Sequence, residues 1–162
     1  VSWVDVAGGR LALGHRPRLR AMRALAEEGV THLVTLLSAR EGAAGIGEAV
    51  GAAGLGWLWL PLENADPPAE ARDSEIRAAF DQVRGLLGSG ARVLIHCSAG
   101  IHRTGLIGYA LLRYLGQSAD QARDTLRALR DVTAEGVGGP RLGWGDRFVL
   151  RCARAAAPPT GR

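Results

Sequence analysis

The sequence predicts an α/β domain with a mainly parallel central sheet flanked by helices, and three observations predict it. Short, β-rich apolar runs alternate with longer segments of helical spacing. Glycine, proline and small polar residues punctuate the boundaries. After one initial pair of runs, each strand-like segment is followed by a helix-like one, the order that builds a parallel sheet. With 162 residues, 47% hydrophobic and 22% charged, the chain suits one domain with a core that needs no staple. A single domain over residues 1–157 is expected, with the terminal PPTGR, residues 158–162, as a frayed tail.

The elements follow in order. Trp3 to Val6 and Leu11 to Leu13 flank Gly8-Gly9 and predict a hairpin or paired strands. Pro17 can open a helix carrying Leu19, Met22, Leu25 and Ala26 and closing at Gly29. Thr31 to Leu37 predicts a buried strand. Residues 43–53 are weakly helical because Gly45, Gly47 and Gly51 each lower helix propensity. Trp57 to Leu60 predicts a strand ended by Pro61, its two tryptophans packing in the core. The polar, proline-containing stretch from Glu63 to Arg72 is a loop. Asp73 or Ser74 can cap a helix whose stripe is Ile76, Ala79, Phe80, Val83 and Leu87. Arg92 to Ile95 is a short buried strand, and an apolar helix runs from about Arg103 to Leu115. Ser118 caps a helix to Arg130. A glycine-rich loop, Gly136 to Gly145, precedes a last helix over Asp146 to Ala155.

Composition narrows the setting. All twenty basic residues are arginine, and the net charge of +4 with a pI near 10.0 favours anionic partners. This usage points to a GC-rich bacterial genome. The arginines are dispersed, without the block that marks a basic arm, so nucleic acid is disfavoured as a partner. Two cysteines, Cys97 and Cys152, make no disulfide framework and suit a reducing compartment, the cytoplasm. No apolar run is long enough to span a membrane, and no signal peptide is visible. Four histidines without ligand spacing give no metal site. No cofactor is expected, and a monomer is.

The informative segment is Val93 to Gly105, VLIHCSAGIHRTG. Twenty arginines in 162 residues put one six places after a given cysteine about once in eight by chance, so Cys97-x5-Arg103 alone is weak. Its context makes it specific. An apolar strand runs into Cys97 and an apolar helix leaves from Arg103. A loop of this kind gathers backbone N–H groups into a small anion cradle, strengthened by the helix dipole. Gly100 admits the tight curl. Arg103 offers a planar fork for two phosphate oxygens, which lysine could not. Cysteine attacks as the thiolate, which a positive field stabilises, and one at the floor of a phosphate cradle stands in line with phosphorus.

His96-Cys97-Ser98-Ala99-Gly100-Ile101-His102-Arg103-Thr104-Gly105 resembles the signature loop of the cysteine-dependent protein tyrosine phosphatase superfamily. The short chain and its strand–helix order are similar to the dual-specificity branch. The resemblance implies a phosphate-binding loop of Cys97, Ser98, Ala99, Gly100, Ile101, His102 and Arg103. Within it Cys97 would form a phosphocysteine and Arg103 would hold the phosphoryl oxygens. Thr104 would hydrogen-bond the thiolate and assist its departure, and His96 would shape the loop from behind. It implies hydrolysis of phosphate monoesters, on phosphotyrosine, phosphoserine and phosphothreonine proteins. Two alternatives stay open: the same mechanism on an inositol phosphate, phospholipid or RNA 5′ end, or a phosphate-binding module without turnover.

The family takes its general acid, an aspartate, from a loop some thirty residues upstream. The corresponding stretch here is Leu60 to Pro68, where the aligned position holds Asn64, which has no carboxyl proton. Glu63 and Asp66 flank it, and Asp66 is favoured. His102 is either a solvated loop residue or a substrate contact. The run His15 to Arg20 is read as a solvated helix start, with a second phosphate site as the lesser alternative. Cys152 is expected to pack in the core.

Overall fold

The computed structural model describes residues 1–157, so the expected terminal fray lies outside the described residues. Five strands form one sheet in the order β1-β2-β5-β3-β4. They span Val4–Val6, Gly9–Gly14, His32–Thr35, Gly56–Trp59 and Arg92–His96, numbered β1 to β5 along the chain. The predicted hairpin is present, β1 running antiparallel to β2; the other pairings are parallel. Among the described residues seven α-helices accompany the sheet: α1 Met22–Glu27, α2 Ala43–Ala52, α3 Asp73–Gly88, α4 His102–Tyr114, α5 Ala119–Leu129, α6 Asp131–Gly136 and α7 Gly139–Ala156.

The core lies on both faces of the central strands. Val93, Leu94 and Ile95 of β5 are buried, as are Leu11, Leu13, Leu33 and Val34 on its neighbours. A strand buried on both faces reads as a continuous apolar run, which is why VLI was legible as a strand. The predicted stripe of α3, Ile76 to Leu87, is buried throughout. Ser118 caps α5 as expected, accepting from the backbone N–H of Gln121 at 3.2 Å, while the Gln121 side chain returns the bond at 2.9 Å.

Several expectations are corrected. The helix expected from Pro17 begins as a 3₁₀ turn over Leu19–Ala21 and becomes α-helical only at Met22. Asp73 makes no cap; its carboxylate accepts from Arg151 Nε at 2.7 Å, tying α3 to α7. The glycine-rich loop shrinks to Val137 and Gly138, because α7 starts at Gly139. Pro140 sits in its first turn, where a missing N–H does no harm. Gly145 stays helical because α7 packs tightly on α4: a Cβ there would lie 2.8 Å from the Tyr109 ring. Trp59 leaves the core because β4 is an edge strand, whereas Trp57 stays partly buried against it. Their rings stack at 5.8 Å between centroids, and Trp59 is 41% exposed.

Candidate active site

Parallel strands place their carboxyl ends together, and the connections leaving those ends converge on one crevice. Strand β5, central in the sheet, delivers His96 and Cys97; the loop from Ser98 to Ile101 follows, and α4 begins at His102. The connection after β2 lies on one side. Those after β3 and β4 supply Glu41 and the stretch Leu62 to Ala65 on the other. A cleft of about 180 Å³ opens between them, lined by Glu63, Asn64, Ala65, Cys97, Ser98, Ala99, His102 and Arg103.

The loop is held from behind, carbonyl by carbonyl. His96 Nδ1 lies 3.0 Å from the Cys97 carbonyl. The backbone N–H of Arg16 donates to Ser98 O at 2.8 Å. Arg130 Nη1 donates to Ala99 O at 3.1 Å and to Gly100 O at 2.7 Å, and the Thr133 hydroxyl also donates to Gly100 O. In a trans peptide the N–H points opposite to the C=O of the same unit. Four outward carbonyls therefore aim the N–H groups of Ser98, Ala99, Gly100 and Ile101 inward. The N–H of Gly100 donates to Cys97 Sγ at 3.2 Å. Gly100 has φ +72°, and a Cβ there would meet Gly14 O at 2.3 Å, so the curl admits no side chain.

His96 is fully buried, and a carbonyl can only accept, so its proton sits on Nδ1. Nε2 then accepts from the Thr35 hydroxyl at 2.8 Å, and Thr35 Oγ1 accepts from the Trp57 indole at 2.9 Å. Burial, with smaller contributions from the Arg16, His15 and Arg103 charges, lowers its pKa to about 4, against the Cys97 carbonyl bond, which acts to raise it. The imidazole is a neutral spacer at the root of the loop.

Arg103 has a partner that sequence reasoning missed. Its Nη1 and Nη2 donate to the two oxygens of Glu41 at 2.7 and 2.8 Å, and Nη1 also donates to Leu62 O at 3.0 Å. Of the five guanidinium N–H donors, the Nε/Nη2 edge remains free, a fork that matches two phosphate oxygens. Glu41 is held in turn by the Ser38 backbone at 2.9 Å and the Ser38 hydroxyl at 3.0 Å. The Arg103 hydrogen bond is the main cause that brings the Glu41 pKa down to about 2, and Glu41 is the main cause that raises that of Arg103. The one sequence signal for Glu41 was Ser38-x-x-Glu41, the spacing of a capping box.

The remaining candidates divide. Glu63 and Asn64 line the cleft; Asp66 does not. Asn64 Oδ1 accepts from the Asp66 backbone N–H at 2.9 Å, a local turn that fixes the loop. Arg141 Nε, donating to Ala65 O at 2.7 Å, and Trp144 Nε1, donating to Pro68 O at 3.1 Å, pin it further. Thr104 is buried and its hydroxyl has no hydrogen-bond partner among the described residues, so the expected bond to Cys97 is not made; the Gly100 N–H donates to Cys97 Sγ instead. His102 is exposed at the rim. Cys152 is buried in α7, away from the cleft. Asp146 accepts from Tyr109 at 2.7 Å and Arg113 at 2.9 Å, joining α4 to α7.

A strand-loop-helix cradle with a cysteine at its floor and an arginine at its lip defines a phosphoryl-handling site on an α/β sheet. The family model for the dual-specificity-type phosphatase domain of Swiss Army Knife proteins matches residues 1–137. The chain belongs to that family and is a phosphatase domain of the cysteine-dependent, dual-specificity type. No curated protein matches it significantly in sequence. Solved structures share its fold. Tk-PTP in its active form is 22% identical over 93% of this chain and 97% of that one, with a TM-score of 0.72. Kinase associated phosphatase, its catalytic-site cysteine replaced by serine, is 21% identical over 97% and 96%, at 0.74. PTPMT1 in complex with PI(5)P is 16% identical over 97% and 100%, at 0.72. Among the described residues no helix is long and apolar enough to cross a membrane.

Proposed function

We propose that the domain hydrolyses phosphate monoesters through a phosphocysteine on Cys97. The observation that carries this is the set of four N–H groups turned inward around Cys97 Sγ, beside the uncommitted edge of Arg103. The phosphoryl group sits in the cradle with two oxygens on Arg103. The thiolate attacks phosphorus as the P–O bond to the leaving group breaks, and the leaving oxygen takes a proton. Water then attacks the phosphocysteine, releasing inorganic phosphate and restoring the thiolate. Thr104, whose hydroxyl is uncommitted, turns its proton toward the departing sulfur in this second step. Glu63, the carboxyl that lines the cleft, supplies the proton in the first step; Asp66 would have to be brought in by loop movement.

The cleft is small and bounded by short connections, which suits phosphoserine and phosphothreonine as well as phosphotyrosine. One observation favours polyanions as a second substrate class. Arg16 and Arg141, which adjoin Ser98 and Ala65 beside the cleft, are in no salt bridge among the described residues. PTPMT1, with PI(5)P bound, is a lipid-headgroup example of the same fold. A KM for an inositol phosphate that rises steeply with salt, while that for a phosphotyrosine peptide does not, would select this class.

The test is hydrolysis of p-nitrophenyl phosphate in EDTA from pH 5 to 8, with wild type and Cys97→Ser. That leaving group needs little protonation, so the assay isolates the cradle and the nucleophile. Turnover that vanishes in the serine variant is expected. Turnover that survives Cys97→Ser rejects the phosphocysteine, and a folded, reduced wild type without turnover returns the chain to a binding module.

A further inference from the structure

A second cavity is larger than the catalytic cleft. It encloses about 560 Å³ behind the phosphate loop, within the size range of small-molecule sites. Leu13, Gly14 and Leu94, from β2 and β5, line it on the sheet side. Ala21 and Leu25 form one wall, Leu129 and Val132 another, and Val1 and Ser2 complete the rim. Most of its surface is apolar. Its charged side chains are His15, Arg18, Arg130 and Asp131, three potential cations against one carboxylate. His15 and Arg18 belong to the basic run that the catalytic site does not use, and Arg18 has no ion-pair partner among the described residues.

This cavity touches the catalytic loop twice. Gly14 packs against Gly100 so closely that a Cβ on Gly100 would meet Gly14 O at 2.3 Å. Arg130 lines the cavity and also clamps Ala99 O and Gly100 O. Its Nη1 makes every one of those bonds, to Thr133 Oγ1 as well, leaving the Nε/Nη2 edge uncommitted. An anionic group at this end of the cavity would meet that edge.

We propose that the cavity is a regulatory site for a small amphiphile with one anionic head, an acyl-chain carboxylate in chemistry. The apolar walls take the chain, and Arg18, His15 and Arg130 take the head. The bound charge partly neutralises Arg130 and places negative potential behind the cradle. The loop then holds phosphate less well, and by reciprocity phosphate weakens the amphiphile.

The binding arm stands apart from the proposed hydrolysis, since it needs no turnover; the coupling arm rests on the phosphate cradle. Calorimetric titration with decanoate, below its micelle-forming concentration, should show saturable binding at one site, and decanol should bind at least about tenfold more weakly. Ala21→Trp, which fills the cavity, should abolish binding. Arg18→Glu, on the surface, should weaken it about tenfold without changing basal turnover of p-nitrophenyl phosphate. Saturating decanoate should raise the dissociation constant of inorganic phosphate about fivefold, and not in Ala21→Trp. Absence of saturable binding, equal binding of decanol, or binding indifferent to both variants overturns the site. A phosphate constant unmoved by bound decanoate, or moved equally in Ala21→Trp, overturns the coupling. If the decanoate arm holds while Cys97→Ser retains turnover, the site stands and the phosphocysteine reading alone fails.

Discussion

The two oxygens of Glu41 hold the two terminal nitrogens of Arg103 at 2.7 and 2.8 Å, so the guanidinium we propose as the phosphate clamp is oriented before any ligand arrives. The pair is only partly exposed, Arg103 at 11% of its side-chain surface and Glu41 at 32%. A guanidinium fixed on its outer edge loses little further freedom when its inner edge binds, which is the advantage of preorganisation.

Glu41→Gln should therefore lower kcat/KM for p-nitrophenyl phosphate by about 10- to 100-fold, as misplacement of an anchoring group does. Since Glu41 ionises near pH 2 in the fold, its support of Arg103 is fully present above the ordinary carboxylate range and lost only as pH falls toward 2. The kcat/KM of wild type relative to Glu41→Gln should then be flat from pH 5 to 8. A ratio near one would show that Arg103 does not need the pair.

Arg130 and Thr133 act on the cradle through the carbonyls of Ala99 and Gly100. Arg130→Ala should cost about 100-fold in kcat/KM, comparable with removing one oxyanion donor. Arg130→Lys should restore part of it, because a point charge can still attract both carbonyls without fixing their planes. The readout that distinguishes positioning from simple destabilisation is the inhibition constant of inorganic phosphate: it should rise in Arg130→Ala at a temperature where the variant is fully folded.

The two flanking carboxylates can be separated by leaving group. Glu63→Gln should slow hydrolysis of phenyl phosphate, a poor leaving group, by about 10²-fold or more, while sparing p-nitrophenyl phosphate. Asp66→Asn should leave both within about twofold. The reverse pattern would assign the proton to Asp66 and require the loop to move.

His96 links stability to pH. Its folded pKa, near 4, lies below the ordinary value of 6.5, so the unfolded chain takes the proton first as pH falls. Its contribution is complete above pH 6.5 and is lost progressively between 6.5 and 4, in total about 3 kcal/mol. Denaturant unfolding across that window should follow this decline. An imidazole resonance of His96 titrating near 6.5 would contradict it.

What was legible in the sequence was local. The loop from Cys97 to Arg103 is contiguous, so a strand, five residues and a helix suffice to announce an anion cradle. The stripe of α3 and the Ser118 cap of α5 obey periodicities that need no knowledge of the rest of the chain. The start of α7 was not legible, because Gly139, Gly143 and Gly145 lower helix propensity, and the close approach of α4 explains only Gly145. Trp59 misled for a similar reason: alternation identifies a strand, but not whether it is an edge.

By itself, then, the sequence determined the α/β order and the loop from Cys97 to Arg103 with its proposed nucleophile and arginine, all set by neighbours within a few residues. Only the tertiary structure decided what holds that loop in shape. Glu41 lies 62 positions before Arg103, and Arg130 lies 30 after Gly100. Among twenty arginines with no lysine to contrast them, nothing local singles out Arg130. The parallel sheet brings the ends of β2, β3, β4 and β5 to one edge, and hydrogen bonds across that edge turn four carbonyls outward. Which carboxylate faces the cleft was decided there too. Glu63 reaches it and Asp66 does not, because Asn64 and Arg141 set the path of the backbone between them.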